Sequence, residues 1–238
     1  MAVEQILIER RFRGPDRSGN GGWTAGLVAE AHAGPAEVTL RMPPPLDRPL
    51  DVVSEDAVTT LWDGESVVAE ARPAPSLVDL EPPRPVSYAE AEKATARFAG
   101  HDAHLFAGCF VCGPARGPGD GLRIFPGPVG DGLLAATWTP DDSLAVGDAV
   151  PLAAVWAALD CPGGWAGELS EARPAVLGRL TVDVRRACAV GEPLVVLGWP
   201  VEDLAKKFLS ASALLDADGE VLAVARATWV RIDSSTWV

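Results

Sequence analysis

Residues 19–30, GNGGWTAGLVAE, carry the signature of a capped helix whose first turn is left bare. Asn20 is a good N-cap, because its side-chain oxygen accepts an amide of the first turn. Gly21 and Gly22 leave the neighbouring amides open to an approaching oxygen, and the helix dipole adds partial positive charge at the same place. Glu30 falls two turns on, on the face that carries Trp23 and Leu27. The phrase predicts a helix from Asn20 to about Ala31 that starts in an oxyanion trap and ends in a carboxylate.

A second apolar helix is expected at about 149–161, within PLAAVWAALDCPGG (151–164), and it too ends in a carboxylate, Asp160. Setting Glu30 on Asp160 gives an offset of 130 residues. VTLRMPPPLDRPLDV (38–52) then matches VDVRRACAVGEPLVV (182–196) at an offset of 144, with Arg41 on Arg185 and Pro49 on Pro193. DGESVVAEA from Asp63 resembles DGEVLAVAR from Asp218 at an offset of 155. Three matches in register order predict a duplicated chain whose second copy carries extra loop residues.

Alternating or apolar runs place strands at 6–13, 36–42, 48–62 and 65–72 in the first copy. In the second copy they fall at 133–138, 176–187, 192–201, 207–217 and 220–233. ARPAPSLVDLEPPRPVS (71–87) is a proline-rich connector. Ser87 with Glu90 forms a capping box opening a short amphipathic helix through about Phe98, which would cover a surface. The expected units are therefore 1–82, a linker at 83–104, and 105–238.

With 48% hydrophobic residues in 238, the chain can bury a sizeable core. Its net charge of −13 argues against nucleic acid and anionic membrane surfaces as partners, since both require a basic face. The longest apolar run is far short of a membrane span, and MAVEQILIERR does not have the form of a signal peptide, so a cytoplasmic location is expected.

The four cysteines then count as thiols rather than a disulfide framework. His101, His104, Cys109 and Cys112 spell H-x2-H-x4-C-x2-C, a possible zinc set. One short segment leaves little room for a tetrahedral cage, so the expectation is buried or incidental thiols and no metal.

Five segments now stand in order: GNGGWTAGLVA (19–29), CFVCGPARGPGDGLRIF (109–125), ALDCPGGWA (158–166), LTVDVRRACAVGEPLVVLGW (180–199) and DGEVLAVARATWV (218–230). Together they resemble the tandem hotdog proteins of the acyl-CoA thioesterase superfamily. The resemblance implies an α+β double hotdog, with two antiparallel sheets each wrapped around a central helix and joined side by side. It implies an acyl-CoA substrate, with coenzyme A entering as part of that substrate and no separate cofactor. Uncovered sheet edges would suit a homodimer.

In such proteins the start of one helix faces the carboxylate of the other across an acyl tunnel. The resemblance therefore offers two sites here: Asn20, Gly21 and Gly22 with Asp160, and the helix start near Ala149–Leu152 with Glu30. The glycine side is the better oxyanion site, because Pro151 lacks an N–H and Val150 and Leu152 crowd the approach. At the end of its helix Asp160 sits where the dipole disfavours negative charge, so its pKa should be raised, and it would serve as nucleophile or general base. Asp160 equally suits a plain helix end before a Pro162-Gly163-Gly164 turn.

Trp23 and Trp156, with Trp165, are tunnel-lining candidates, although aromatics at helical spacing are commonly core. Arg185 and Arg186, like Lys206 and Lys207, are candidate partners for coenzyme A phosphates or solvated strand ends. His32 is a helix-end dipole partner rather than a catalyst. No G-x-S-x-G supports a serine triad, and neither helix contains the histidine that a hotdog hydratase needs. Two classes stay open: hydrolysis of an acyl-CoA, and binding of an acyl group or acyl-CoA without chemistry.

Overall fold

The computed structural model describes residues 4–145, 147 and 149–233. Eleven antiparallel strands form one continuous sheet: β1 (Glu4–Leu7), β2 (Ala36–Leu40), β3 (Pro49–Glu55), β4 (Val58–Asp63), β5 (Ser66–Pro73), β6 (Gly127–Gly130), β7 (Leu133–Trp138), β8 (Ala175–Val184), β9 (Leu194–Asp203), β10 (Lys207–Asp216) and β11 (Val221–Arg231). Their spatial order is β1-β3-β4-β5-β2-β8-β11-β10-β9-β7-β6. Among the described residues four α-helices accompany them: α1 (Gly21–Ala31), α2 (Tyr88–Thr95), α3 (Leu152–Ala158) and α4 (Cys161–Ala166).

The two sheets expected side by side are one continuous sheet, joined by the pairing of β2 with β8. Glu37, Val38 and Thr39 lie opposite Thr181, Leu180 and Arg179, fusing the strands into a single sheet. Counted outward from that seam, β2-β5-β4-β3-β1 and β8-β11-β10-β9-β7 occur in the same order, each set with a helix between its first two strands along the chain. The Asp63-Gly64 and Asp218-Gly219 matches both fall at hairpin turns, with Gly64 at φ 59° and Gly219 at φ 90°. Beyond the turns the sequence match is one residue out of register. Val38 faces Ala71, whereas Val182 faces Ala225 and not Arg226. Register shifts at Leu61/Trp62, Leu209/Ser210 and Thr228/Trp229 kink the strands and help the sheet curve around its helices.

Local chemistry explains where the elements differ from expectation. The run at 6–13 is a strand only over Glu4–Leu7, then a 3-10 turn at Arg10–Phe12, because Asn20 and Gly19 tie their amides to Phe12 and Pro44. The long 48–62 run folds back at Asp56, which takes φ 51°. Pro162-Gly163-Gly164 is not a turn: it forms the first half of α4, which lies so close to the sheet that a Cβ on Gly164 would meet the Trp229 ring at 2.7 Å.

α1 and α3 cross in close contact, N-terminus of one against C-terminus of the other. A Cβ on Gly22 would lie 2.6 Å from Asp160 Cβ, and one on Gly26 would lie 2.5 Å from Ala153 Cα. The main core sits between these helices and the concave face of the sheet. A second core covers the opposite face of the later strands. There Leu77, Val86, Ala91 and Ala94 of the connector and α2 pack on Leu133, Val195, Leu197 and Trp199. Half of the expected capping box forms: Ser87 Oγ accepts from the Glu90 amide at 3.3 Å, while the Glu90 carboxylate accepts from Arg84 instead of the Ser87 amide.

Candidate functional site

Asp160 occupies the break between α3 and α4 and is 2% exposed. Its Oδ2 accepts from Asn20 Nδ2 at 2.9 Å and from the Gly22 amide at 3.0 Å. Oδ1 is buried and has no hydrogen-bond partner among the described residues. Asn20 performs two tasks at once, because its Oδ1 accepts from the Trp23 amide at 2.8 Å as the α1 cap while its amide nitrogen reaches Asp160.

Burial pushes the Asp160 carboxyl up to about 7, and the hydrogen bonds from Gly22 and Asn20 only partly oppose it. The direction agrees with expectation but the cause differs. Asp160 stands at the N-cap position of α4, without a side-chain cap hydrogen bond, so the loss of water and not a helix C-terminus raises the pKa.

A cleft of ≈ 330 Å³ opens beside this carboxyl, walled from both halves of the chain by residues that include Asn20, Gly21, Leu40, Asp160, Leu177 and Trp229. The size and mostly apolar walls suit part of a small organic ligand. Gly21 contributes an amide with no acceptor among the described residues, whereas the Gly22 amide is already committed to Asp160. The expectation of two bare glycine donors is thus corrected to one. Gly22 is glycine because α3 passes so near.

The reciprocal pairing is also present. Glu30 Oε1 accepts from the Ala153 amide at 3.1 Å, so each helix start does meet the other helix's carboxylate. The donor is Ala153 and not the 149–152 stretch, and Glu30 itself is exposed and does not line the cleft.

The four substrate-contact candidates lie elsewhere. Trp23 is stacked on Phe12 at 3.8 Å between ring centroids and abuts Phe110, because the 3-10 turn carries Phe12 over α1. Trp156 is 2% exposed in the α1–α3 contact. Arg185 is held by Glu81 at 3.1 Å, and Arg186 is shared by Glu192 and Asp216, so acidic side chains already neutralise both. Lys206 and Lys207 are exposed at the β9–β10 turn. His32 ends α1 with its Nδ1 3.1 Å from Thr59 Oγ1.

The suspected histidine and cysteine set is divided and regrouped. His101 is exposed, its ring against Phe98 and Phe125. Cys109 and Cys112 instead join Cys161, which sequence spacing did not connect to them, and the three sulfurs lie within 4.8 Å of one another at the wall of the cleft. Hydrogen bonds from Cys112 and then Cys161 pull the Cys109 thiol well below its ordinary pKa. The signal for Cys161 in the sequence was its place next to Asp160.

Solved structures resemble the chain over nearly its whole length, among them the following three. One is a conserved protein of unknown function with a hot dog fold from Alicyclobacillus acidocaldarius, at 15% identity, covering 98% of this chain and 96% of that one with a TM-score of 0.63. A candidate thioesterase II from Thermobifida fusca has 17% identity, coverage of 96% and 92%, and a TM-score of 0.60. A tesB protein from Mycobacterium avium subs paratuberculosis has 13% identity, coverage of 90% and 88%, and a TM-score of 0.57. The chain has a hotdog fold. Identities this low carry the hotdog architecture and not its chemistry. No family model matches the sequence, and neither does any curated protein. No helix among the described residues is long and apolar enough to cross a membrane.

Proposed function

We propose that the protein hydrolyses the thioester bond of an acyl-CoA, in a cleft formed between two duplicated hotdog units. One observation carries this reading. Asp160 presents a buried, unpartnered oxygen at the cleft wall while Asn20 and Gly22 clamp its other oxygen, a few atoms from the free Gly21 amide. An acyl carbonyl entering the cleft would accept from Gly21 N–H, which stabilises the oxyanion of the tetrahedral intermediate. Asp160 would then take a proton from water as the water oxygen bonds to the carbonyl carbon, or attack that carbon itself. The C–S bond breaks, and on the general-base route the departing thiolate takes back the proton that Asp160 removed; on the direct route water then cleaves the acyl–Asp160 anhydride, releasing the acid, restoring the carboxylate and supplying the thiolate's proton.

The names of the two relatives described as a thioesterase II and a tesB protein agree with this reading, as does the apolar cleft. A second reading has its own support. The Gly22 amide is spent on the carboxylate and Oδ1 is shielded, which also suits a protein that binds an acyl group or acyl-CoA without cleaving it.

A screen of short, long and aromatic acyl-CoAs separates the two, with release of free coenzyme A and binding measured in parallel. Turnover of at least one thioester well above the uncatalysed rate is expected. Binding without turnover would leave the second reading standing, and neither binding nor turnover would contradict both.

A further inference from the structure

Three of the four cysteines, drawn from two distant segments, converge at one buried point. Cys109 and Cys112 are brought together by a tight turn. The Gly113 amide donates to Cys109 O at 2.9 Å, and a Cβ on Gly113 would lie 2.5 Å from the Ala107 and Cys109 carbonyl oxygens, so only glycine closes it. Cys161 enters from the first residue of α4. All three are free thiols, 5% exposed or less.

We infer that Cys109, Cys112 and Cys161 form a three-thiolate site for one zinc ion, with its fourth position toward the cleft. Tetrahedral zinc with Zn–S bonds of about 2.3 Å sets its sulfurs about 3.8 Å apart. Cys109 and Cys161 sulfurs stand at 3.8 Å, and the third lies within 4.8 Å of both. Soft thiolates in a tetrahedral set favour zinc over magnesium or calcium, which require oxygen ligands.

The surroundings supply donors to the sulfurs. Trp165 Nε1 lies 3.5 Å from Cys112 Sγ, and Asn20 Nδ2 lies 3.9 Å from Cys109 Sγ. N–H groups of this kind stabilise thiolate ligands. His104 also borders the cleft, and its Nδ1 accepts from the Phe106 amide at 3.0 Å. A neutral ring with Nδ1 so occupied carries its proton on Nε2, which makes Nε2 a donor and not a ligand. That Nε2 is buried beside the Cys112 backbone. Such a zinc site would form whether or not the cleft hydrolyses a thioester. Each Zn–S bond forms as the thiol's proton, where present, is released to solvent.

The test titrates the reduced full-length protein with cobalt(II) alone, then with zinc(II). One equivalent of cobalt should give the intense visible bands of a tetrahedral thiolate site, and zinc should displace it. Cys188→Ser should keep this spectrum, since Cys188 lies outside the cluster; Cys112→Ser and Cys161→Ser should lose it. Wild-type protein titrated with zinc in weak buffer should release about two or more protons per ion, a readout that needs no variant to fold. A weak octahedral spectrum, bands that survive in both cluster variants or vanish in Cys188→Ser, or zinc uptake without proton release would each overturn the site.

Discussion

Asn20 shows how one side chain links stability to the site. Its oxygen caps α1 and its nitrogen holds Asp160, so the two tasks can be separated by substitution. Ser at position 20 keeps a capping oxygen but has no amide to offer the carboxylate. Asn20→Ser should therefore keep the capping share of stability and lose no more than the roughly 1.5–3 kcal/mol of one hydrogen bond to a charged group. It should lower kcat/KM about tenfold or more, the scale of one lost hydrogen bond to a charged group. Denaturant melts beside steady-state kinetics check this; a large stability loss with unchanged kinetics would mean that the cap matters and the Asp160 contact does not. Asn20 as cap was legible in the sequence, because the N-cap rule is local. Its second partner was not, since Asp160 lies 140 residues away and only the helix crossing brings it near.

At the scale of elements, the glycines of α1 mark the crossing with α3. Gly26→Val would drive side-chain carbon into Ala153 and should cost at least about 1–3 kcal/mol of stability, the usual range for overpacking. Gly117→Ala, where a Cβ meets nothing within 4 Å, should change it little. Urea midpoints of the two variants measure the contrast, and equal midpoints would sink the close-crossing account. Gly22→Val belongs with Gly26: it would strike Asp160 Cβ and the Trp156 carbonyl, so it cannot probe an oxyanion amide in isolation. Most strand positions, the connector helix and its Ser87 cap could be inferred from alternation, Gly-rich turns and the Ser87/Glu90 pair, but not the short β6 or the fold-back at Asp56. The α4 helix could not, because Pro-Gly-Gly reads locally as a turn and is helical only through burial against Ser210 and Trp229. Likewise the one-residue slip beyond the Asp218-Gly219 turn depends on pairing partners that no local match contains.

The whole molecule is held together across its midline by the β2–β8 seam, the α1–α3 crossing and the packing of Phe12 and Trp23 on Phe110. Unfolding followed by far-UV circular dichroism and tryptophan fluorescence should give one coincident transition, and residues 1–82 alone should not fold. Two separated transitions would show that the halves are independent. Among the described residues both outer strands, β1 and β6, are four residues long, so a dimer built edge to edge through them would gain few hydrogen bonds. Similar topology on the two sides of the seam does not make the two helix–carboxylate contacts alike. Asp160 is buried at the cleft with one oxygen free, and Glu30 is exposed and away from it. The most direct measurement is kcat/KM of Asp160→Asn and Glu30→Gln beside wild type, on one acyl-CoA that the wild type turns over. Asp160→Asn should lose at least ~10², the scale of removed general-base assistance, with Glu30→Gln close to wild type. An active Asp160→Asn with a dead Glu30→Gln would contradict that expectation and move the chemistry to the other helix start.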